Sequence, residues 1–175
     1  LLAQAADVSP VRITDGSTYT MTADSVINTG SNTTGIFVGY KDGGTIVGDN
    51  VTVTSDGYGI QIQTYATGGV AGSGDCSIKL GKTIVEAKSS AVRVDSSSYG
   101  QKATVILGAG SILNSSANSA VYVTGKDSLL QIGDGSTVTG NSYGATGAAL
   151  ASSSGGKIEI GNGVTIGHGN IRGYD

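Results

Sequence analysis

The chain has 175 residues, enough for one domain of ordinary size. Apolar residues reach 38 % and charged residues only 13 %, with 30 glycines, one proline and no tryptophan. Periodic placement of the apolar residues excludes a disordered chain, the glycine spacing excludes collagen, and a net charge of −3 with scattered Lys and Arg gives nucleic acid nothing to hold.

In chain order, residues 1–6 come first. Ala3-Gln4-Ala5 within them fits the small-x-small pattern of a signal-peptidase site, so this stretch reads as a signal-peptide remnant or a tag. Residues 7–32 carry Val11/Ile13, Tyr19/Met21 and Val26 and read as a divergent N-terminal turn that caps a stack.

Residues 33–175 hold a repeat. A short apolar alternation ending in Gly recurs at Thr45-Ile46-Val47-Gly48, Ile78-Lys79-Leu80-Gly81, Val105-Ile106-Leu107-Gly108, Leu130-Gln131-Ile132-Gly133 and Ile158-Glu159-Ile160-Gly161. The glycines lie 33, 27, 25 and 28 residues apart, a period that marks a stacked repeat architecture.

Three short alternating segments fit each period. On a strand, residues two apart share one face. The inward pairs expected before the marker Gly are Thr45/Val47, Ile78/Leu80, Val105/Leu107, Leu130/Ile132 and Ile158/Ile160. Those after it are Val51/Val53, Thr83/Val85, Ser111/Leu113, Ser136/Val138 and Val164/Ile166. A third set follows a Gly-, Ser- and Asn-rich turn: Ile36/Val38, Ile60/Ile62, Val92/Val94, Val121/Val123 and Ala149/Ala151. The predicted fold is all-β, a right-handed parallel β-helix with three short strands per turn and roughly six turns. β-Branched residues and Gly dominate and no 3.6-residue stripe persists, which argues against helices.

The longest interval contains residues 64–75, read as a loop protruding from the stack. At the other end Ile166-Gly167-His168-Gly169-Asn170-Ile171 continues in repeat style, so the repeats are expected to run on past the C-terminus.

The blocks Thr29-Gly30 through Ile36-Phe37-Val38, and Gly43-Gly44-Thr45-Ile46-Val47-Gly48-Asp49-Asn50-Val51-Thr52-Val53, resemble passenger regions of bacterial autotransporters of the pertactin-like and adhesin-like kind. The resemblance extends from about Ile13 to the end of the chain. It implies secretion by the type V route behind a signal peptide, display at the cell surface, and anchoring through a C-terminal membrane barrel not present in this chain. It further implies an adhesin, an autoaggregation factor or a surface antigen. Few cysteines are usual in such passengers, and Cys76 is alone, so no disulfide can close within the chain.

Many β-helices cleave polysaccharides, so a lyase or hydrolase is the alternative. That chemistry needs carboxylates clustered on adjacent turns. Here Asp49 and Asp134 share a corner position three turns apart, Asp56 and Asp95 stand in different strand contexts, and Glu159 has Gln131 as its neighbour. No catalytic, metal or cofactor residues are assigned. His168, the one histidine, reads as a corner residue, and Cys76 as a buried small side chain.

Binding is assigned to the outward rows. The third strands place Phe37, Gln61, Arg93, Tyr122 and Leu150 in line, and aromatic and Arg side chains anchor interfaces. Ile84 with Ile112 on the second strands, and Tyr65 on the loop, are rival patches. The expected partner is a host-surface protein, a glycan or another copy of the chain; neither nucleic acid nor membrane insertion by this segment is expected. A structural stalk is the third reading.

Overall fold

The computed structural model describes residues 9–66, 68–96, 100–141, 148–167 and 170–174. Residues 1–6 and His168 therefore lie outside the described residues. The chain winds through three strands per coil. The first coil is β1 (Val11–Ile13), β2 (Thr18–Thr20) and β3 (Ser25–Thr29). The second is β4 (Ile36–Gly39), β5 (Gly44–Gly48) and β6 (Val51–Ser55), and the third β7 (Ile60–Gln63), β8 (Cys76–Leu80) and β9 (Thr83–Ala87). There follow β10 (Val92–Asp95), β11 (Ala103–Leu107) and β12 (Ile112–Ser115), then β13 (Val121–Thr124), β14 (Ser128–Ile132) and β15 (Thr137–Thr139). Last come β16 (Ala148–Ser153), β17 (Lys157–Ile160), β18 (Thr165–Gly167) and β19 (Asn170–Tyr174).

Every third strand pairs in parallel with its equivalent. The result is sheet A, β1-β4-β7-β10-β13-β16-β19; sheet B, β2-β5-β8-β11-β14-β17; and sheet C, β3-β6-β9-β12-β15-β18. The protein is an all-β parallel solenoid. A parallel sheet is ordinarily covered on both faces by helices. Here three sheets cover one another's inner faces, so alternation along each strand suffices: one residue in, the next out. The segment 7–32 supplies the first full set of three strands, in register with the next coil through Val11↔Ile36, Thr18↔Thr45 and Ser25↔Val51.

The core is a column of Ile, Val and Leu. Ile36, Ile60, Val92 and Val121 stack from sheet A, Ile46, Ile78, Val105 and Leu130 from sheet B, and Val53, Val85, Leu113 and Val138 from sheet C, each fully buried. Cys76 joins this core as a free thiol, its pKa pushed up to about 12, first by burial and then by the Asp75 charge.

Polar residues at three inward positions have a specific task. Ser111 Oγ donates to the Gly108 carbonyl at 2.7 Å and accepts the Thr83 amide of the coil before it at 3.0 Å. Ser136 Oγ likewise donates to Gly133 O at 2.7 Å and accepts the Ser111 amide at 3.1 Å. Thr83 Oγ1 donates to Gly81 O at 3.0 Å. All three hydroxyls are buried and each satisfies main-chain groups at the corner where sheet B turns into sheet C. The marker glycines serve the same corner by close approach. A Cβ on Gly108 would come within 2.7 Å of Gly81 C, and one on Gly133 within 2.5 Å of Ala109 N.

Two expected registers are corrected. On β5 the side chain that turns inward is Ile46, fully buried, with Thr45 and Val47 half-buried on the outside. Ile46 stacks on Ile78, and Gly48 pairs with Leu80 rather than with the next marker glycine, Gly81. The Gly48 copy of the motif is one residue early, and a one-residue slip exchanges the faces of a strand. Burying Ile46 also removes the larger apolar side chain from water. The second correction is on β16. Leu150 pairs with Val121 and lies in the core at 2 % exposure, while Ala151 takes the outward place beside Tyr122. The register with β19 skips Ala149, and this irregularity turns Leu150 inward.

Candidate functional site

The outward row of sheet A reads Arg12, Phe37, Gln61, Arg93, Tyr122 and Ala151. Four of the five residues expected on this ladder stand on it; Leu150 does not, for the reason just given. Arg12 joins the row through the Val11/Ile13 alternation, one coil before Phe37, in a coil whose lack of a marker glycine hides its register in the sequence. The row carries two arginine–aromatic stacks.

In the first stack, the Arg12 guanidinium lies 4.0 Å from the centre of the Phe37 ring and 5.4 Å from that of Tyr40. Its Nη2 donates to the Tyr40 hydroxyl at 2.6 Å. The rings of Phe37 and Tyr40 meet edge to face, 5.9 Å apart at 68°. Phe37 points away from the solenoid core yet is only 5 % exposed. Its ring folds over Gly39, where a Cβ would come within 2.3 Å of Phe37 Cζ. Phe37 is thus the floor of the stack rather than a free surface anchor, and Arg12 and Tyr40 form the part that meets solvent.

Beside this stack lies an open cleft of about 390 Å³, lined among others by Arg12, Asn32, Thr33, Tyr40, Gln61 and Gln63. Arg12 brings a positive charge to it, and among the described residues no carboxylate lines it. A chain of amides forms its wall. Thr34 Oγ1 donates to Gln61 Oε1 at 3.0 Å, Gln61 Nε2 to Gln63 Oε1 at 3.3 Å, and Gln63 Nε2 to the Tyr65 carbonyl at 2.8 Å. Gln61 is nearly buried by these contacts at 9 % exposure. Two acids on neighbouring turns are held locally, Asp15 by the Ser17 hydroxyl and amide, which lower its pKa, and Asp42 by Ser73 Oγ at 2.9 Å, while Asp56 is exposed on the turn stacked on Asn32.

The second stack is closed. Arg93 lies 5.4 Å from both the Tyr58 and Tyr122 rings. Its Nη1 donates to the Tyr58 hydroxyl at 3.0 Å and its Nη2 to Asp95 Oδ2 at 3.3 Å. Burial alone would lower the Arg93 pKa, but Tyr58 and then Asp95 outweigh it and hold the pKa above its ordinary value. Asp95 is 4 % exposed and also accepts the Tyr65 hydroxyl at 2.7 Å. Burial, then that bond and the Asp95 charge, push the Tyr65 pKa up to about 12. Tyr122 Oη and Ser153 Oγ are 3.0 Å apart, and Ser153 Oγ donates to Thr124 Oγ1 at 2.9 Å, which extends the network to β16.

Tyr65, expected on a protruding loop, is therefore half-buried and tied to β10. Its loop folds back, with an isolated antiparallel bridge to Ala71 and Ser73 N donating to Lys41 O at 2.6 Å; Val70 is its exposed large apolar side chain among the described residues, at 66 %. Ile84 and Ile112 stand side by side on the outer face of sheet C as expected, both half-buried, between Thr52 and Thr137. The outer rows of sheet B carry short polar, charged and aliphatic residues: Thr20, Val47, Lys79, Ile106, Gln131 and Glu159 form one of them.

Among the described residues no three His, Cys, Asp or Glu side chains converge as a metal site. Glu159 accepts Gln131 Nε2 at 2.6 Å, and Glu86 accepts Asn114 Nδ2 at 2.6 Å. Comparison with protein-family models, with curated proteins and with solved structures finds no match for this chain in any of the three.

Proposed function

We propose that this chain is part of a bacterial cell-surface adhesin, built like an autotransporter passenger, and that it binds through the outer face of sheet A. One observation carries the reading: the arginine–aromatic stacks and the open cleft fall on the same one of the solenoid's three faces. Arg and Tyr combine large contact area with directional hydrogen bonding, and for that reason they dominate recognition surfaces. A rigid solenoid serves such a face well. The main chain under Phe37, Gln61, Arg93 and Tyr122 is hydrogen-bonded to two neighbouring coils, and that under Arg12, on the edge strand β1, to one, so little ordering remains to be done on binding. The wall of the cleft is equally preset, because each Gln amide is already oriented by the next.

The test displays the chain on bacterial cells and scores attachment to host-cell and glycan-coated surfaces, with cell–cell aggregation scored in parallel. Substituting both Tyr40 and Tyr122 by Ala should abolish attachment or aggregation while the coils still fold. Substituting Ile84 and Ile112 by Thr, on another face, should leave both intact. Equal loss from the two sets would sink the reading.

A further inference from the structure

Within that reading, we infer that the cleft beside Arg12 is a binding subsite for an acidic saccharide unit, a sugar that carries a carboxylate. The inference rests on the proposed binding face and names what the face takes.

Charge comes first. The protein is acidic overall, with 13 Asp and Glu against 10 Lys and Arg, yet the described lining of the cleft holds Arg12 and no carboxylate. Of the acids on neighbouring turns, Asp15 and Asp42 are turned to their own hydroxyl partners, and Asp56, exposed beside Asn32, does not line the cleft. Arg93, on the same register row, has its acid within the fold, a carboxylate at 3.3 Å, although its buried Nε is without a hydrogen-bond partner. Arg12 has every other element of that arrangement, a ring beneath it and a tyrosine hydroxyl at its edge, but among the described residues no acid pairs with it. A guanidinium has five N–H donors in a planar fork. Here one goes to Tyr40, and stacking on Phe37 fixes the plane. The remaining donors suit bidentate pairing with a carboxylate.

The rest of the lining sets the class of molecule that carries the carboxylate. Asn32, Thr33 and Gln63 offer amide and hydroxyl groups, and Tyr40 offers a half-buried ring at the rim. Hydroxyl-rich ligands need such mixed donors and acceptors, with an aromatic surface against their C–H faces. The cleft is open and its volume of about 390 Å³ falls in the ordinary range for small-ligand sites. An acidic peptide would also answer Arg12 but leaves the polyamide wall without matching hydroxyls, so the saccharide fits better.

Two natural sources of such a unit exist: a terminal sialic acid, or a uronic acid within a chain. Titrations of the isotopically labelled full chain by NMR would use four probes, sialyllactose against lactose and trigalacturonate against its methyl ester. Binding of one carboxylated probe, with shifts at Arg12, Tyr40 and Gln63 and none with its neutral twin, supports the inference and identifies the source. Arg12→Gln should weaken that binding roughly tenfold or more, since a charge-assisted fork is lost. Asn32→Asp gives a second readout. Asn32 has a φ of 54°, which Asp tolerates as well as Asn, so this variant adds negative charge at the rim while keeping the backbone. It should weaken binding of the carboxylated probe, and added salt should weaken it in the unmodified chain.

Equal binding of neutral and acidic twins would overturn the inference, as would an acidic probe that binds without sensing Arg12→Gln or Asn32→Asp. Absence of binding by all four probes would overturn it too. If cells displaying the chain still attach through Tyr40 and Tyr122 in that case, the binding-face reading survives without it.

Discussion

Arg12 and Arg93 stand on one register row of one sheet and have opposite surroundings. Arg93 sits between Tyr58 and Tyr122, and Asp95 closes its edge from the same strand. Arg12 lies over Phe37 and against Tyr40, with its free edge turned to a cleft and no acid beside it among the described residues. The difference lies two residues along each strand. The position two after Arg93 is Asp95 and the position two after Arg12 is Thr14; beside Arg12, Gly39, two after Phe37, lacks a side chain and lets the Phe37 ring lie down. One stack is finished within the chain and ties coils together. The other is left open to solvent. A solenoid repeats its frame and varies its rows, so structure and recognition can differ by one side chain at equivalent positions.

The largest expected effect comes from opening the closed stack. Asp95→Ala strands a part-buried guanidinium and removes the acceptor of the Tyr65 hydroxyl. Breaking a buried pair from one side costs about 3–5 kcal/mol, and Arg93 retains 31 % side-chain exposure, so about 2–4 kcal/mol is expected here. Urea unfolding of the variant measures it. The double variant Asp95→Ala with Arg93→Leu should recover part of the loss, because no uncompensated charge remains. A single-variant cost below about 1 kcal/mol would place the Asp95 pair with ordinary surface ion pairs and erase the contrast.

The sequence carried the frame of this molecule more fully than its face. Marker glycines and paired β-branched residues are legible because the coil repeats, and each inward position is confirmed by its equivalents one coil away. Both register errors arose where a copy departs from the repeat. At Gly48 the marker is one residue early; at Ala149 the strand skips a residue, and an alanine run offers no size contrast to fix which face is which. The outward row was legible as a row, from Phe37 to Tyr122. What joined Arg12 to it was not, since the first coil lacks the marker. Tyr40, Tyr58 and Gln63 were invisible for another reason. They enter through turns or the next outward position, and only their three-dimensional contacts with Arg12, Arg93 and Gln61 reveal them.

A smaller effect reads the closed stack by pH. Tyr65 has a folded pKa of about 12 against an ordinary value of 10, owing to burial, the bond to Asp95 and the Asp95 charge. The raised value means that the native protein holds the phenolic proton more tightly than the unfolded chain. Its contribution is complete below pH 10 and is lost as pH rises through about 12. Cys76 changes in the same direction, from 9 to about 12. Stability should therefore fall across that alkaline window, and Tyr65→Phe should make the fall shallower. Spectroscopic titration of tyrosinate would show one late-ionising residue disappear in Tyr65→Phe. Disappearance of a residue that ionises near 10 instead of near 12 would mean that the Tyr65–Asp95 bond does not persist in solution.

The smallest stability effect belongs to Arg12, and it bears most on function. Arg12→Ala removes a cation–π contact at an exposed site and one hydrogen bond to Tyr40. Exposed cation–π contacts contribute about 0.5–1 kcal/mol, and Tyr40 regains water as a partner, so the expected loss is under about 1 kcal/mol. Phe37 stays in place, because Gly39 and the neighbouring coils hold its ring from below. The comparison with Asp95→Ala sets an open arginine stack against a closed one on the same face of the solenoid, at several-fold different cost. A loss from Arg12→Ala as large as that from Asp95→Ala would show that Arg12 is a second staple. A small loss leaves a fixed, positively charged side chain that the fold hardly needs for its own stability.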